Sequence, residues 1–332
     1  MVGGLRSPFK AFALALATAC AAVAVFAAVT AEGPRPVFVT WEGIGPDKWA
    51  SIWLIRRHID PGAEIRIVPV NGDTRIGQGF DFEGAPYLRD ANSTTFTQMR
   101  KALLPEAGSA EIGHLSKMID EMEIRRWGVV DSSDTGILEE GYRNLQLAFD
   151  ARDGVPFACY MAFFDRVETT LATTGGRLDR AITVPDTTAC AGSQESGAAR
   201  AETVAEMPVR AILDRIAAGQ EVVFIDTREA AEFAEAHIPG AAHIPLRDID
   251  AAMGAKLASA DLVVPYCVKD FRGYEVARAL SRLGVPDVAV MNPYGIRGWS
   301  QAGLPISGAR GKPAAAAEAA LAACAADAAC GG

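Results

Sequence analysis

Apolar and polar positions along this chain change rhythm part-way, and the change predicts two folded halves. Residues 37–41 form a short apolar run that reads as a strand. Residues 47–59 place Trp49, Ile52, Trp53 and Ile55 on one side of a helix. Arg56, Arg57 and His58 stand at its end, where basic side chains suit the helix dipole. Pro61-Gly62 stops the helix. Residues 63–68 alternate, with Ile65 and Ile67 on one face and Glu64 and Arg66 on the other, and Pro69 ends this strand or confines it to a sheet edge. Asn71-Gly72 makes a turn. Helical spacing then dominates over 94–104, 110–126, 136–152 and 156–171, with Phe157, Tyr160, Phe163 and Phe164 expected in a helical core. A strand–helix–strand opening followed by helices predicts an α/β or α+β domain over residues 36–172.

From residue 201 the rhythm becomes short apolar runs separated by helical ones. Helix 204–217 points Val209, Ile212, Leu213 and Ile216 inward, followed by strand 221–226 and helices 228–236 and 248–257. Strand 261–266, helix 272–283 and strand 287–291 complete the series. Such a series predicts a parallel sheet with helices on both faces over residues 201–308. Ligands of these sheets bind at the C-terminal strand ends. Residues 173–200 are small, polar and turn-forming, as expected of a linker. Residues 309–332 are alanine-rich and expected to be a mobile tail.

The first 31 residues have a different pattern. Arg6 and Lys10 precede a charge-free run over 11–31, with small residues before Glu32. This predicts either a cleaved secretory signal or an uncleaved inner-membrane anchor, and in both cases a periplasmic or other extracytoplasmic protein. The remaining 300 or so residues suffice for two ordinary cores. Half the residues are apolar and the formal net charge is −9, which argues against nucleic acid or anionic lipid as a partner. The four histidines form no cluster, and there is no zinc-type Cys pair and no glycine-rich phosphate loop, so no metal or organic cofactor is expected.

Candidate chemistry converges on Cys267. It ends the apolar run 262–266, and a short loop separates it from a helix that begins near Arg272. The loop amides of Val268, Lys269, Asp270, Phe271 and Gly273 can curl round the sulfur, and the helix N-terminus points at it. With Arg272 they would stabilise a thiolate and lower its pKa from about 8.5. A buried structural cysteine at a strand end is the alternative.

Several motifs around it, in order, carry a resemblance. They are Asp226-Thr227-Arg228, Glu232-Phe233, His237-Ile238-Pro239-Gly240-Ala241, His243-Ile244-Pro245, the Cys267 loop, Gly298-Trp299 and Gly303-Leu304-Pro305-Ile306. Together they resemble a rhodanese domain. That resemblance implies a sulfurtransferase with Cys267 as nucleophile and Arg272 closing its loop, while Asp226 and His237 match structural positions. Four residues separate Cys267 from Arg272, the sulfurtransferase loop size, where the related cysteine phosphatases have five. Asp270 stands where that loop often has glycine, which implies a cost if the backbone there is left-handed. It also implies a negative charge opposing a second anion, which Lys269 could offset.

The stretch Asp47-Lys48-Trp49-Ala50-Ser51-Ile52-Trp53-Leu54-Ile55-Arg56-Arg57-His58-Ile59-Asp60 resembles the chromate resistance exported protein family, with Gly79-Phe80-Asp81-Phe82 and Thr95-Phe96 as later echoes. It implies a link to chromate or another oxyanion, for which Arg56-Arg57-His58 is the candidate site. The function expected is therefore an exported sulfurtransferase that forms a persulfide on Cys267 from thiosulfate or a persulfide donor and passes the sulfur to a thiol acceptor. The alternative is a non-catalytic oxyanion-binding or sensing protein that uses its rhodanese domain to dock a partner.

Without the leader, Cys159, Cys190, Cys267, Cys324 and Cys330 remain. An odd number in an oxidising compartment leaves one unpaired, and sulfur transfer requires that one to be Cys267. The expected pairs are Cys159–Cys190 and Cys324–Cys330, with Cys159 as a simple buried hydrophobe the alternative to the first.

Overall fold

Strand β1 (Val37–Trp41) is the centre of a three-stranded parallel sheet in the order β2-β1-β3, with β2 (Glu64–Val68) and β3 (Gln78–Gly79) beside it. The computed structural model describes residues 35–124, 132–149, 152–188 and 204–331. The leader over 1–31 and Cys190 lie outside the described residues. Helix α1 (Pro46–Leu54) starts with Pro46, whose fixed φ suits the first helical position and whose missing N–H costs nothing there. It is buried along its whole length and continues into a π-helical turn, Ile55–Ile59. Helices α2 (Thr95–Leu103), α3 (Ala110–Glu123) and α4 (Ser133–Leu147) each begin at a side-chain cap, from Thr94, Ser109 and Ser132. The Ser132 cap starts α4 three residues before the expected Gly136.

Helix α5 (Phe157–Thr173) supplies the aromatic core. Tyr160, Phe163 and Phe164 are buried in it, and Trp49 of α1 stacks on Tyr160 at 4.1 Å. The expected linker starts later than residue 173. Ile182 is buried, and its carbonyl lies against α4 so closely that a Cβ on Gly141 would come within 2.6 Å of it.

In the second half, residues 205–208 are strand rather than helix. β4 (Ala205–Pro208) pairs with β8 (Ala289–Asn292), and Pro208 disfavours helix in the residue before it, delaying α6 (Val209–Ala217). There follow β5 (Val222–Asp226), α7 (Ala230–Glu235), β6 (Ala242–His243) and α8 (Ala251–Leu257). β7 (Leu262–Tyr266), α9 (Phe271–Arg282) and α10 (Gly295–Gln301) complete the set around β8. All strand pairings are parallel, and a Val263–Val288 bridge joins the two ladders into the order β6-β5-β7-β8-β4. β7 is buried on both faces: Leu262, Val264 and Tyr266 enter one core layer and Val263 the other. That is why its sequence is a continuous apolar run.

The tail corrects the expectation of mobility. Residues Ala314–Ala326 form α11, which packs on α6 with Ala317, Leu321, Cys324 and Ala325 buried. A Cys324–Cys330 disulfide closes its end, and Arg210 of α6 donates to the carbonyls of Ala325, Asp327 and Cys330 at 2.9–3.0 Å. Cys159 is also disulfide-bonded, and among the described residues Cys267 is the free thiol.

The two halves share their cores. Phe271, from the second half, is 1% exposed inside the first half's aromatic cluster, 5.8 Å from Tyr142 in an edge-to-face contact. Ile44, from the first half, packs among Val276, Ala277 and Leu280.

Candidate active site

Cys267 sits where β7 ends, and three close approaches fix its loop. The Ile296 and Arg297 amides of α10 donate to the carbonyls of Cys267 and Val268 at 3.0 and 3.1 Å. Gly295 makes this possible: its φ is +64°, and a Cβ there would collide with the carbonyls of Cys267, Val268 and Lys269. Gly273 lets the first turn of α9 press onto the strand, since its Cβ would lie 2.8 Å from the Pro265 carbonyl oxygen. The Gly273 amide donates to the Cys267 sulfur.

The fold thus brings Cys267, Gly273 and Arg272 together. The electrostatics differ from expectation. Cys267 is 1% exposed, and burial pushes its thiol pKa up. Arg272 and the Gly273 amide pull it down, while Glu123 and Asp270 push it up further. Arg272 is shared rather than reserved for the sulfur. Its Nη2 donates to the Glu123 carbonyl at 3.2 Å, and carboxylates of Glu229, Glu232 and Glu123 lie 3.7–4.0 Å from it. Arg297 likewise donates to the Glu121 carbonyl at 2.8 Å. Two arginines of the second half thus cap the negative C-terminal end of α3.

The other loop residues turn toward the first half. Asp270 accepts from Arg143 Nη2 at 2.6 Å and Arg152 Nη1 at 2.5 Å, which hold its carboxyl below its usual pKa against burial. Its φ is −140°, so no left-handed strain arises, and its charge, though paired with these arginines, still opposes an anion at the sulfur. Lys269 pairs with Glu139, and Phe271 lies in the aromatic core with Arg143 over its ring at 4.6 Å. Val268 lines a second cavity with Asn92, Ile124 and Arg228. Asp226 holds Arg228 at 2.7 Å, and His237 pairs its backbone with Ser307, the structural roles expected of both.

Sequence reasoning missed the first half's share of the site. A cleft of about 750 Å³, counting the space open to solvent, runs between the halves to Arg272 and Glu123. Its wall carries a buried ionic network. Arg89 binds Glu123 at 3.0 Å and Asp47 at 2.7 Å, and Lys48 binds Asp81 at 2.6 Å. Asp47 also accepts the amides of Thr95 and Phe96 at 3.0 and 2.8 Å, which ties it to the start of α2. An acid at the end of a helix, as Glu123 is, goes against the helix dipole, and that was the available signal. The expected oxyanion cluster does not form. Arg56 donates to the Ala63 carbonyl, Arg57 pairs with Asp165 at 2.8 Å, and His58 lies 3.1 Å from Glu168. Among the described residues no group of three or more His, Cys, Asp or Glu has the arrangement of a metal site.

Residues 209–302 match the model of the rhodanese-like domain, and residues 38–168 match that of the ChrB C-terminal domain. A sulfurtransferase of Allochromatium vinosum is 31% identical over 103 residues, which are 31% of this chain and 94% of that protein. A putative sulfur carrier protein of Bacillus subtilis, YrkF, is 27% identical over 106 residues, 32% of this chain, and the chain spans 56% of its length. Among solved structures, a thiosulfate sulfurtransferase from Pseudomonas aeruginosa is 27% identical, covering 32% of this chain and 20% of that one, with a TM-score of 0.29. With Cys267 at the C-terminal end of a central parallel strand, and 94% of a sulfurtransferase matched around it, the chain belongs through its second half to the rhodanese-like sulfurtransferase family, preceded by a ChrB C-terminal domain.

Proposed function

We propose that Cys267 takes up a sulfur atom from thiosulfate or a persulfide donor and hands it to a thiol. As a thiolate it attacks the donor's outer sulfur. The donor's sulfur–sulfur bond breaks, sulfite or a thiolate leaves, and a new sulfur–sulfur bond forms on Cys267. An acceptor thiolate then attacks that outer sulfur and restores the Cys267 thiolate. The exchange conserves electrons, so no external oxidant takes part. In this reading the Gly273 amide and Arg272, both of which favour negative charge on the Cys267 sulfur, hold the persulfide.

The observation that carries this reading is the free Cys267 with an amide donating to its sulfur, in a loop of four residues closed by Arg272. Thiocyanate formation from thiosulfate and cyanide tests it. Cys267→Ser abolishes the activity, and Arg272→Ala lowers it by about 2–4 kcal/mol in barrier, the size of one oxyanion donor. Activity unchanged in Cys267→Ser refutes the assignment.

Burial of the Cys267 loop under the first half favours a second reading, in which the rhodanese half is a docking and sensing module and carries no sulfur. The ChrB match is the support for a link to chromate in either reading. The charge-free run behind Arg6 and Lys10 is the support for export.

A further inference from the structure

The cleft that ends at the Cys267 loop carries an imbalance of charge. Six carboxylates line it against four cationic side chains. A dianion such as thiosulfate entering here meets net repulsion. Most of these charges already have partners, but two groups in the cleft do not use their full hydrogen-bonding capacity. Glu123 is 1% exposed and its Oε1 accepts no hydrogen bond; this oxygen lies beside Gly45, where a Cβ would come within 3.4 Å of it, and both residues line the cleft. Beside it, Arg272 leaves Nε and Nη1 without hydrogen-bond acceptors, with Nε 4.0 Å from Glu123 Oε2. Buried polar atoms without partners are rare enough in native proteins to call for a ligand or water.

A bare carboxylate oxygen calls for a cation that can donate, and a guanidinium whose Nε and Nη1 make no hydrogen bond, its carboxylate neighbours standing 3.7–4.0 Å off, can still take a carboxylate. Having the two side by side fits a molecule with an ammonium and a carboxylate on one carbon. Trp41, stacked on Phe82 at 5.4 Å, gives the cleft an apolar side as well, and its buried Nε1 has no acceptor. Thr227, also on the wall, donates to the carbonyl of Tyr266, the residue before Cys267.

We propose that this cleft binds an α-amino acid persulfide, with its ammonium on Glu123 and its carboxylate on Arg272. The identity of the ligand as a sulfur donor rests on the sulfur-transfer reading; the presence of a zwitterion site does not. In the transfer, the Cys267 thiolate attacks the outer sulfur, the donor's sulfur–sulfur bond breaks, and the amino acid leaves as its thiolate. The proton on the transferred sulfur stays with it or is lost to water, and no oxidant or reductant is consumed.

Binding can be read without chemistry by using thioethers, in which a methyl replaces the terminal SH of the persulfide. Calorimetry on the full chain carrying Cys267→Ser compares S-methyl-L-cysteine with 3-(methylthio)propanoate, which lacks the ammonium, and 2-(methylthio)ethylamine, which lacks the carboxylate. The zwitterion is expected to bind at least ~10-fold more tightly than either, the size of one charged hydrogen bond. Adding Glu123→Gln should erase its advantage over the propanoate. No binding of the zwitterion, or equal binding of the propanoate, overturns the inference; the ligand series alone decides this if Glu123→Gln fails to fold. Sulfur reaching Cys267 from thiosulfate with no zwitterion binding overturns the site and leaves the sulfurtransferase standing. Zwitterion preference with no sulfur on Cys267 from any donor supports the site and refutes sulfur transfer.

Discussion

Asp270, three residues after Cys267, is clamped by Arg152, 118 positions earlier in the chain, with Oδ2 2.5 Å from Nη1. Arg143 takes the other oxygen at 2.6 Å. The side chain that departs from the usual loop glycine is therefore what fastens the loop to the ChrB-like half. Asp270→Ala leaves two arginines without their shared partner and exposes the loop. We expect a loss of about 3–5 kcal/mol in urea unfolding, together with faster alkylation of Cys267 by iodoacetamide. Unchanged stability and alkylation would show that this clamp does not hold the halves together.

Burial pushes the Cys267 thiol pKa up, with Arg272 opposing the shift and Glu123 adding to it. Its alkylation rate should climb about tenfold per pH unit through the neutral range, with no plateau below the ordinary thiol value of about 8.5. A plateau below pH 8 would reverse the balance of charges described for the site. Burying the neutral thiol also makes its contribution to stability present below the unfolded pKa and lost as pH rises through the higher folded one.

The second half was largely legible in the sequence because its strands are buried on both faces and read as apolar runs, and because Cys267, Gly273 and Arg272 lie within seven residues. What joins the halves was not legible. Lys269 and Asp270 look like parts of an anion cradle until Glu139, Arg143 and Arg152 are seen to meet them from distant sequence. Glu123, Arg89 and Asp47 are ordinary charged residues in sequence, and only folding buries them together. The tail was misread because alanine composition alone does not distinguish a mobile segment from a helix that packs closely by virtue of its small side chains.

Helix α11 is part of the second core, so trimming it should cost stability. Leu321→Ala, at a position 7% exposed, is expected to destabilise by about 2 kcal/mol in thermal or chemical unfolding. An exposed, mobile tail would show no change.

Asp47 is pushed up to about 7 by burial, with Asp81 and Glu123 adding to the effect and Arg89 opposing it. Its folded pKa lies above the ordinary 3.8, so its contribution is present below that value and is lost as pH rises through about 7. The stability of the natural protein minus that of Asp47→Asn should therefore fall between pH 4 and pH 7. A difference that rises with pH would mean that Arg89 and the α2 amides outweigh burial.

Sulfur transfer requires that Cys267 itself carry the transferred atom. Mass spectrometry of the full chain tests it most directly, after incubation with thiosulfate and, separately, with a small-molecule persulfide. With at least one donor, one added sulfur atom is expected on the Cys267 peptide, removable by a thiol and missing from Cys267→Ser. No added sulfur from either donor, or the same gain in Cys267→Ser, would contradict it.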